Sequence, residues 1–571
     1  MKTHYSTILL ILTSLVALAQ NSKQSFDKEI EAIFSEWNQP DTPGAAVAVV
    51  QKGKIIYSNE FGSANLEHQA PISTETKFQL NSVQNQIVAF AVLLLESQGK
   101  LSLEDNIRKY LPEMPDFGKP ITIHHLLTHT HGIPNFSTLQ RLAGWEAKDI
   151  KTREQALEII YGLSANVYDA GDRYRFCDSG TLLASEIIAK VSGNSFVNFI
   201  ETQIFKPLHM TNTVYGTIEN SLIKNRSNKY SGSGENFKNE NYFNYPIDFT
   251  LYSTAEDMAR WMLNFGSPKV GNLDLIKKMQ IPTLLNDGSS THGKGSSSYA
   301  VYGQFTSPYK GLKRIEQNGR NYGFMTYIGQ FPEQDFGVVV LGNSFDFHAE
   351  GAALKIADLF LKNDFIKEEI PVKKDSITKN DFIKLSIPEL QKFCGTYWNK
   401  ESSYMRKIYL KDGKLYYYRS EGNESELAPI SKNTFVLTEN PDSYSIRFEQ
   451  KSDKELMIFA WGERGNEFQY FNEKFDLVTY DTEQLAEFTG LFWCENLNVL
   501  YKLLMQDGKI TVSHNRSADF VITPYKSDKF TSDAYYFDNV EFERDKKGNI
   551  NGLWIRTTNI GSQYFKKLSE S

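Results

Sequence analysis

Apolar positions in the first 363 residues follow two periods. In "AAVAVVQKGKIIYSNEFG" (Ala45 to Gly62) two short apolar runs flank Lys52-Gly53-Lys54, which predicts two strands joined by a tight turn. "FMTYIGQFPEQDFGVVVLGN" (Phe324 to Asn343) predicts a second hairpin. Between and beyond them the period lengthens. Ile87 to Leu95 is apolar without a break, and "AEGAALKIADLFLK" (Ala349 to Lys362) is apolar every three to four residues, so both predict helices. Hairpins near both ends with helices between them predict an α/β (α+β) domain, with an antiparallel sheet built from the chain ends and a helical subdomain inserted.

The last third alternates over short segments and repeats itself. "LQKFCGTYW" (Leu390 to Trp398) recurs as "LAEFTGLFW" (Leu485 to Trp493), shifted by 95 residues. The same shift carries Asp412-Gly413-Lys414 onto Asp507-Gly508-Lys509, Pro429 onto Pro524 and Phe435 onto Phe530, while "QYF" at Gln469 and Gln563 matches at a shift of 94. A unit of this length is a normal small domain, and Asp-Gly between alternating runs marks a hairpin turn. Two small antiparallel β-barrels or sandwiches in tandem are expected, over residues 388–477 and 482–569, after a mixed domain at 24–363 and a charged linker at 364–387. Two polar stretches, Tyr230 to Asp248 and Asn286 to Ser298, read as surface loops or as a flap over a site.

Lys2 and His4 precede an apolar run of 12 residues, Ile8 to Ala19, that ends in Ala17-Leu18-Ala19. The run is too short for a bilayer, which needs about 20 residues, and reads as a signal peptide over residues 1–19, cleaved after Ala19. Position 20 is Gln, so lipid attachment through a cysteine there is excluded, and no membrane anchor is expected after cleavage; a secreted or periplasmic location follows. A net charge of −7 with both signs interspersed gives no reason to expect nucleic acid. Cys177, Cys394 and Cys494 are too few and too scattered for a disulfide framework; either one pair, Cys394 with Cys494, bridges in an oxidising compartment or all three are small buried apolar residues. No CxxC occurs and no His stands at metal-ligand spacing, so neither a metal nor a cofactor is expected.

Six segments then follow one another in a telling order: "PGAAVAVVQKGKIIY", "KFQLNSVQNQIVAFAVLLLESQGKLSLEDNIRKYLPEMP", "ITIHHLLTHTHGIPNF", "AGDRYRFCDSGTLLASEIIAKVSG", "LYSTAEDMARWML" and "EQNGRNYGFMTYIGQFPEQDFGVVVLGN". Over most of residues 30–360 the chain resembles the serine β-lactamase and penicillin-binding-protein family, in the branch of class C β-lactamases, D-alanyl-D-alanine carboxypeptidases, D-aminopeptidases and esterases. The tandem barrels resemble the lipocalin-like barrels appended to D-aminopeptidase-type members. The resemblance implies three catalytic motifs. A serine opens a helix with a lysine one turn on as base; a tyrosine stands two residues before an asparagine; and a strand carries Lys or His two residues before Gly. Backbone N–H groups of the serine and of the residue after that glycine form the oxyanion hole.

This chain departs from the pattern at each motif. The first reads Ser82-Val83-Gln84-Asn85, with a neutral amide in place of the lysine; the second reads Phe176-Cys177-Asp178; the third reads Gln317-Asn318-Gly319. The backbone donors of Ser82 and Arg320 remain, and Gly319 keeps the close approach. Ser-x-x-Lys also occurs at Ser25, Ser221, Ser307 and Ser376, none opening a long apolar helix. General-base help contributes roughly 10² to 10⁴ in rate, so its loss argues against the ordinary mechanism. Ser82 is then expected to cap the helix, its oxygen accepting the N–H of residue 84 or 85. Asp178 is expected to hydrogen-bond Asn85 or the backbone, or else to serve as a non-standard base for an active hydrolase. His129 is expected to be structural, and the position of His131 relative to Ser82 is open. The function implied is an exported, catalytically impaired hydrolase homologue whose cleft binds a small-molecule or peptide ligand derived from the cell wall. The rivals are an active serine hydrolase of an ester or amide and a partner-binding module.

Overall fold

The structure is a computed structural model that describes residues 26–569 apart from 147–148, 150, 217–221, 235, 241–249, 293–296, 322, 367–376, 401–403, 421 and 462–467. The segment read as a signal peptide and part of each polar loop lie outside the described residues.

Seven strands form one antiparallel sheet: β1 (Ala45–Gln51), β2 (Lys54–Phe61), β3 (Tyr299–Val301), β4 (Gln304–Tyr309), β5 (Leu312–Asn321), β6 (Phe324–Phe331) and β7 (Phe336–Gly342), in the order β3-β4-β5-β6-β7-β1-β2. Both predicted hairpins are present, and they join through β1 and β7, whose register runs from Ala45 opposite Gly342 to Gln51 opposite Phe336. The two ends of the domain therefore meet in the middle of the sheet. Alternation decides what each face of β1 covers. Ala45, Val47 and Val49 pack with helix α5 (Ala349–Leu361), whereas Ala46, Ala48 and Val50 belong to the core that holds the other helices. Those helices include α1 (Asn85–Ser97), α2 (Phe136–Leu142), α3 (Asp178–Ser192) and α4 (Ala255–Gly266). Every residue of α1 from Asn85 to Leu95 is buried, so the unbroken apolar run marks a helix enclosed on all sides rather than an amphipathic one.

Residues 395–475 and 490–567 each form a closed antiparallel barrel of eight strands. The Asp-Gly turns act as predicted: Asp412 and Gly413, and Asp507 and Gly508, all take positive φ, as a type I′ hairpin turn requires. The repeat needs one correction. Tyr397 pairs with Lys474 and Phe492 with Lys567, so the closing strands superpose at a shift of 93, one residue from the "QYF" match. A one-residue slip reverses the faces of a strand. Gln469 is exposed, whereas Gln563 is buried.

The second barrel shares a continuous apolar core with the helical subdomain, and Tyr501 Oη donates to Leu142 O across it at 2.9 Å. The first barrel has its own core and meets the second through Trp398 stacked on Tyr525 at 4.7 Å. All three cysteines are unpaired, so the Cys394–Cys494 bridge is not formed. Cys394 precedes the first barrel's opening strand, whereas Cys494 ends the second's, so the repeat brings them to different places in their barrels. Among the described residues no helix is long and apolar enough to cross a membrane.

Candidate active site

Ser82 lies in a 3-10 turn, Asn81–Gln84, that runs directly into α1. The turn is pinned from two sides. Thr326 Oγ1 of β6 donates to Leu80 O at 3.0 Å, Asn81 Nδ2 donates to Phe324 O at 3.3 Å, and Leu251 N–H donates to Gln84 Oε1 at 3.1 Å. Asn81 takes φ +53°, a left-handed conformation that asparagine tolerates better than most residues, so the chain kinks immediately before the serine.

The expected cap is absent. Neither the turn nor α1 has a side-chain cap, and Asn85 N–H donates to the backbone carbonyl of Ser82. Because 3-10 and α turns follow without a break, carbonyls of the preceding turn already accept the N–H groups that a cap would satisfy. The Ser82 side chain is half-buried, and its hydroxyl is not committed to the helix.

One turn on, Asn85 is 5% exposed with its Nδ2 unpartnered among the described residues. The expected Asp178–Asn85 hydrogen bond, for which Nδ2 is the only side-chain donor, is therefore not made. The carbonyl of Asn85 lies where only glycine fits opposite: a Cβ on Gly303 would sit 2.4 Å from it. Gln86, next in the helix, accepts from Trp261 Nε1 at 2.7 Å and Gln304 Nε2 at 2.8 Å, which locks α1 to α4 and β4.

The third motif lies on β5. Gln317 is buried and donates Nε2 to the neighbouring Asn318 O at 3.0 Å, so its amide is held on its own strand. Gly319 is required: a Cβ there would stand 2.3 Å from both Leu80 O and Thr326 Oγ1. Among the described residues β5 pairs with β4 only as far as Glu316, and its last residues lie next to the serine turn. The Arg320 side chain is exposed with its guanidinium 4.5 Å over the Phe345 ring.

The second motif lies at the start of α3, which packs against α1. Phe176 is half-buried with its ring 4.6 Å from that of His129. Asp178 is the first residue of α3, where the helix dipole favours a carboxylate. His129 faces the Cys177 backbone through Nδ1, and burial lowers its pKa to about 4. His131 accepts from Ile133 N–H through Nδ1 at 2.9 Å, and burial lowers its pKa to about 3. Its Nε2 is turned toward Gly180, where a Cβ would come within 2.6 Å. Both histidines are thus neutral structural groups beneath α3.

Two features of the site were not visible in the sequence. Asn286 N–H donates to Gly171 O at 2.9 Å and His292 stacks on Tyr174 at 5.3 Å, so the Asn286 to Ser298 stretch is anchored on the second-motif loop through its described residues. The second barrel also reaches this loop: Arg175 Nε donates to Asn559 Oδ1 at 3.2 Å, and Asn135 N–H donates to Asn559 O at 2.8 Å. Among the described residues no cluster of His, Cys, Asp and Glu has the geometry of a metal site.

An antiparallel sheet with a helical subdomain, and a serine turn held between a strand edge and two packed helices, define a β-lactamase-like serine hydrolase fold. The chain belongs to the Beta-lactamase family, whose profile matches residues 27–361. It is 31% identical over 193 residues to penicillin-binding protein 4* of Bacillus subtilis, covering 34% of this chain and 42% of that protein. It is 26% identical over 334 residues to protein flp of Staphylococcus aureus, covering 57% of this chain and 64% of that one. The chain thus spans less than two thirds of either relative. The octameric penicillin-binding protein homologue from Pyrococcus abyssi superposes with a TM-score of 0.53 at 20% identity, covering 80% of this chain and 99% of that one, which shows shared fold alone.

Proposed function

We propose that this protein is an exported member of its family that has lost the standard acylation chemistry and retains the cleft for binding a small polar ligand, such as a cell-wall-derived peptide. The observation that carries this reading is Asn85. The base position one turn after Ser82 holds a buried neutral amide that cannot accept a proton near pH 7. Gln317, held on its own strand, and Phe176, packed on His129, supply no proton carrier in its place. The end of the β5–β4 ladder at Glu316 and the close approach at Gly319 support the binding half of this reading. Relatives described as penicillin-binding proteins make a cell-wall peptide the first ligand to try.

A second reading is an active hydrolase using Ser82 with Asp178 as base. It is favoured by the uncapped hydroxyl and by the left-handed Asn81 that presents it. The two readings part on binding without chemistry. A peptide ending in D-alanyl-D-alanine is expected to raise the melting temperature, since ligand at 100 times Kd adds about 2.7 kcal/mol. Ser82→Ala should keep that rise and Gly319→Ala should lose it. No rise with any cell-wall fragment, or a rise that Gly319→Ala leaves intact, would overturn the binding half of the proposal.

A further inference from the structure

The two faces of β5 are held by different parts of the molecule. Gly319 meets the serine turn through Leu80 O and Thr326 Oγ1. Arg314, Glu316, Asn318 and Arg320 alternate with Gln317 and Gly319 and so point to the other face, where Leu312 and Tyr327 pack with α5. As far as Glu316 the hold on that face is dense. Glu316 Oε1 accepts from Ser307 Oγ at 2.8 Å and from Arg314 Nη2 at 2.7 Å, and its Oε2 accepts from Tyr327 Oη at 3.1 Å. The Arg314 side chain is 9% exposed and donates Nη1 to Glu350 Oε1 at 3.3 Å.

Beyond Glu316 the hold thins. Among the described residues the ladder with β4 ends there, so residues 317–321 keep only their ladder with β6. Two side chains on the α5 face brace them. Asn318 Nδ2 donates to Glu350 Oε2 at 3.1 Å, and the Arg320 guanidinium lies 4.5 Å over Phe345. An amide donating to a carboxylate is the stronger of the two, since an exposed cation–π contact contributes little. Glu350 therefore reaches β5 on both sides of Gln317, with one oxygen on Arg314 and the other on Asn318. It stands in the first turn of α5, and the chain around it is fixed by bonds that do not involve β5. His348 Nδ1 accepts from Gly351 N–H at 2.9 Å, and Phe345 N–H donates to Tyr230 O at 2.8 Å.

We propose that Glu350 is a positioning residue for the third motif: it holds residues 317–321 from the α5 face, so that Gln317 and Gly319 keep their places beside the serine turn. A strand end paired on one side opens locally more readily than one paired on both, and a side-chain tie at its middle raises the cost of that opening. The consequence for binding rests on the reading of this cleft as a ligand site. A strand already held in place is met by a ligand without an ordering cost, whereas a loosened strand must be ordered as the ligand binds.

Amide hydrogen exchange read by mass spectrometry tests the positioning on the full chain without ligand. In Glu350→Ala, exchange over residues 317–321 should rise about tenfold while α1 stays within about twofold. Asn318→Ala, which removes the other end of the same bond, should raise it about fivefold, and adding it to Glu350→Ala should add nothing. Glu350→Gln, whose amide oxygen still accepts from Asn318, should stay within about threefold of wild type. Asp358→Asn, on the same helix but bonded to Tyr309 and Lys310, should leave residues 317–321 unchanged. If Glu350→Ala fails to fold, as judged by its melting curve, Asn318→Ala is compared with Glu350→Gln in its place. Unchanged exchange over residues 317–321 in the alanine variants, a rise of equal size in α1, or additive effects in the double variant would overturn the proposal. In a second arm, a peptide ending in D-alanyl-D-alanine should bind Glu350→Ala about tenfold more weakly than wild type, and equal affinity would also overturn it. If the wild-type chain binds no such peptide, the ligand reading of the cleft falls and the exchange result alone decides the role of Glu350.

Discussion

At position 85, where the resemblance to the family led to an expected lysine, the fold holds a buried amide whose Nδ2 is unpartnered among the described residues. The Asn85 backbone carbonyl faces Gly303, and its side-chain amide, which does not titrate, makes no hydrogen bond to Asp178 through Nδ2. Asn85, Phe176 and Gln317 were singled out through the family resemblance, and their hydrogen-bond and packing partners had no signal in the sequence. That Ser82 caps nothing could not be read from residue types, because a 3-10 turn feeding a helix and a capped helix carry the same serine. The same holds for His129 and His131, polar by type yet buried and neutral. Their pKa values in the folded state, about 4 and about 3, lie below the ordinary 6.5. The unfolded chain therefore takes up protons first as pH falls, so stability is full above about pH 6.5 and is lost between there and about pH 4. At 1.36 kcal/mol per pH unit, His129 alone accounts for about 3 kcal/mol of that loss. Urea titrations across this range should show it, and His131→Asn, whose amide oxygen still accepts from Ile133 N–H, should make the slope shallower. A slope unchanged in that variant would place the protons elsewhere.

Among elements, the hairpins and helices that sequence pattern predicted are present because period and turn chemistry agree: Asp-Gly turns, a two-faced β1 and an enclosed α1. The repeat was legible too, but its closing register was not. "QYF" is a match of letters, whereas the barrel closes on Lys474 and Lys567. Faces in a barrel follow pairing, and pairing with the first strand is set roughly 75 residues away. The approach of β5 to the serine turn was implied by Gly319, since only glycine lets Leu80 O come so close. The contact between Arg175 and Asn559, 384 residues apart, had no local signal to read.

For the whole molecule, the cores divide the chain unevenly. The second barrel shares its core with the helical subdomain, whereas the first has a core of its own. Scanning calorimetry should therefore show a large transition for residues 27–361 together with the second barrel and a smaller one for the first barrel. Ile446→Ala, fully buried in the first barrel, should lower the smaller transition by about 2–5 kcal/mol and leave the larger in place. Tyr501→Phe, which removes the bond to Leu142 O, should lower only the larger, by about 1 kcal/mol. Transitions that move together in either variant would contradict the division. The proposal that the family's cleft is kept around a serine without a base is tested most directly by intact-mass spectrometry. The purified protein is exposed for minutes to a fluorophosphonate and, separately, to a penicillin, with Ser82→Ala alongside. The account predicts no adduct that depends on Ser82 with either reagent. A stoichiometric adduct on the wild-type chain that disappears in Ser82→Ala would contradict it.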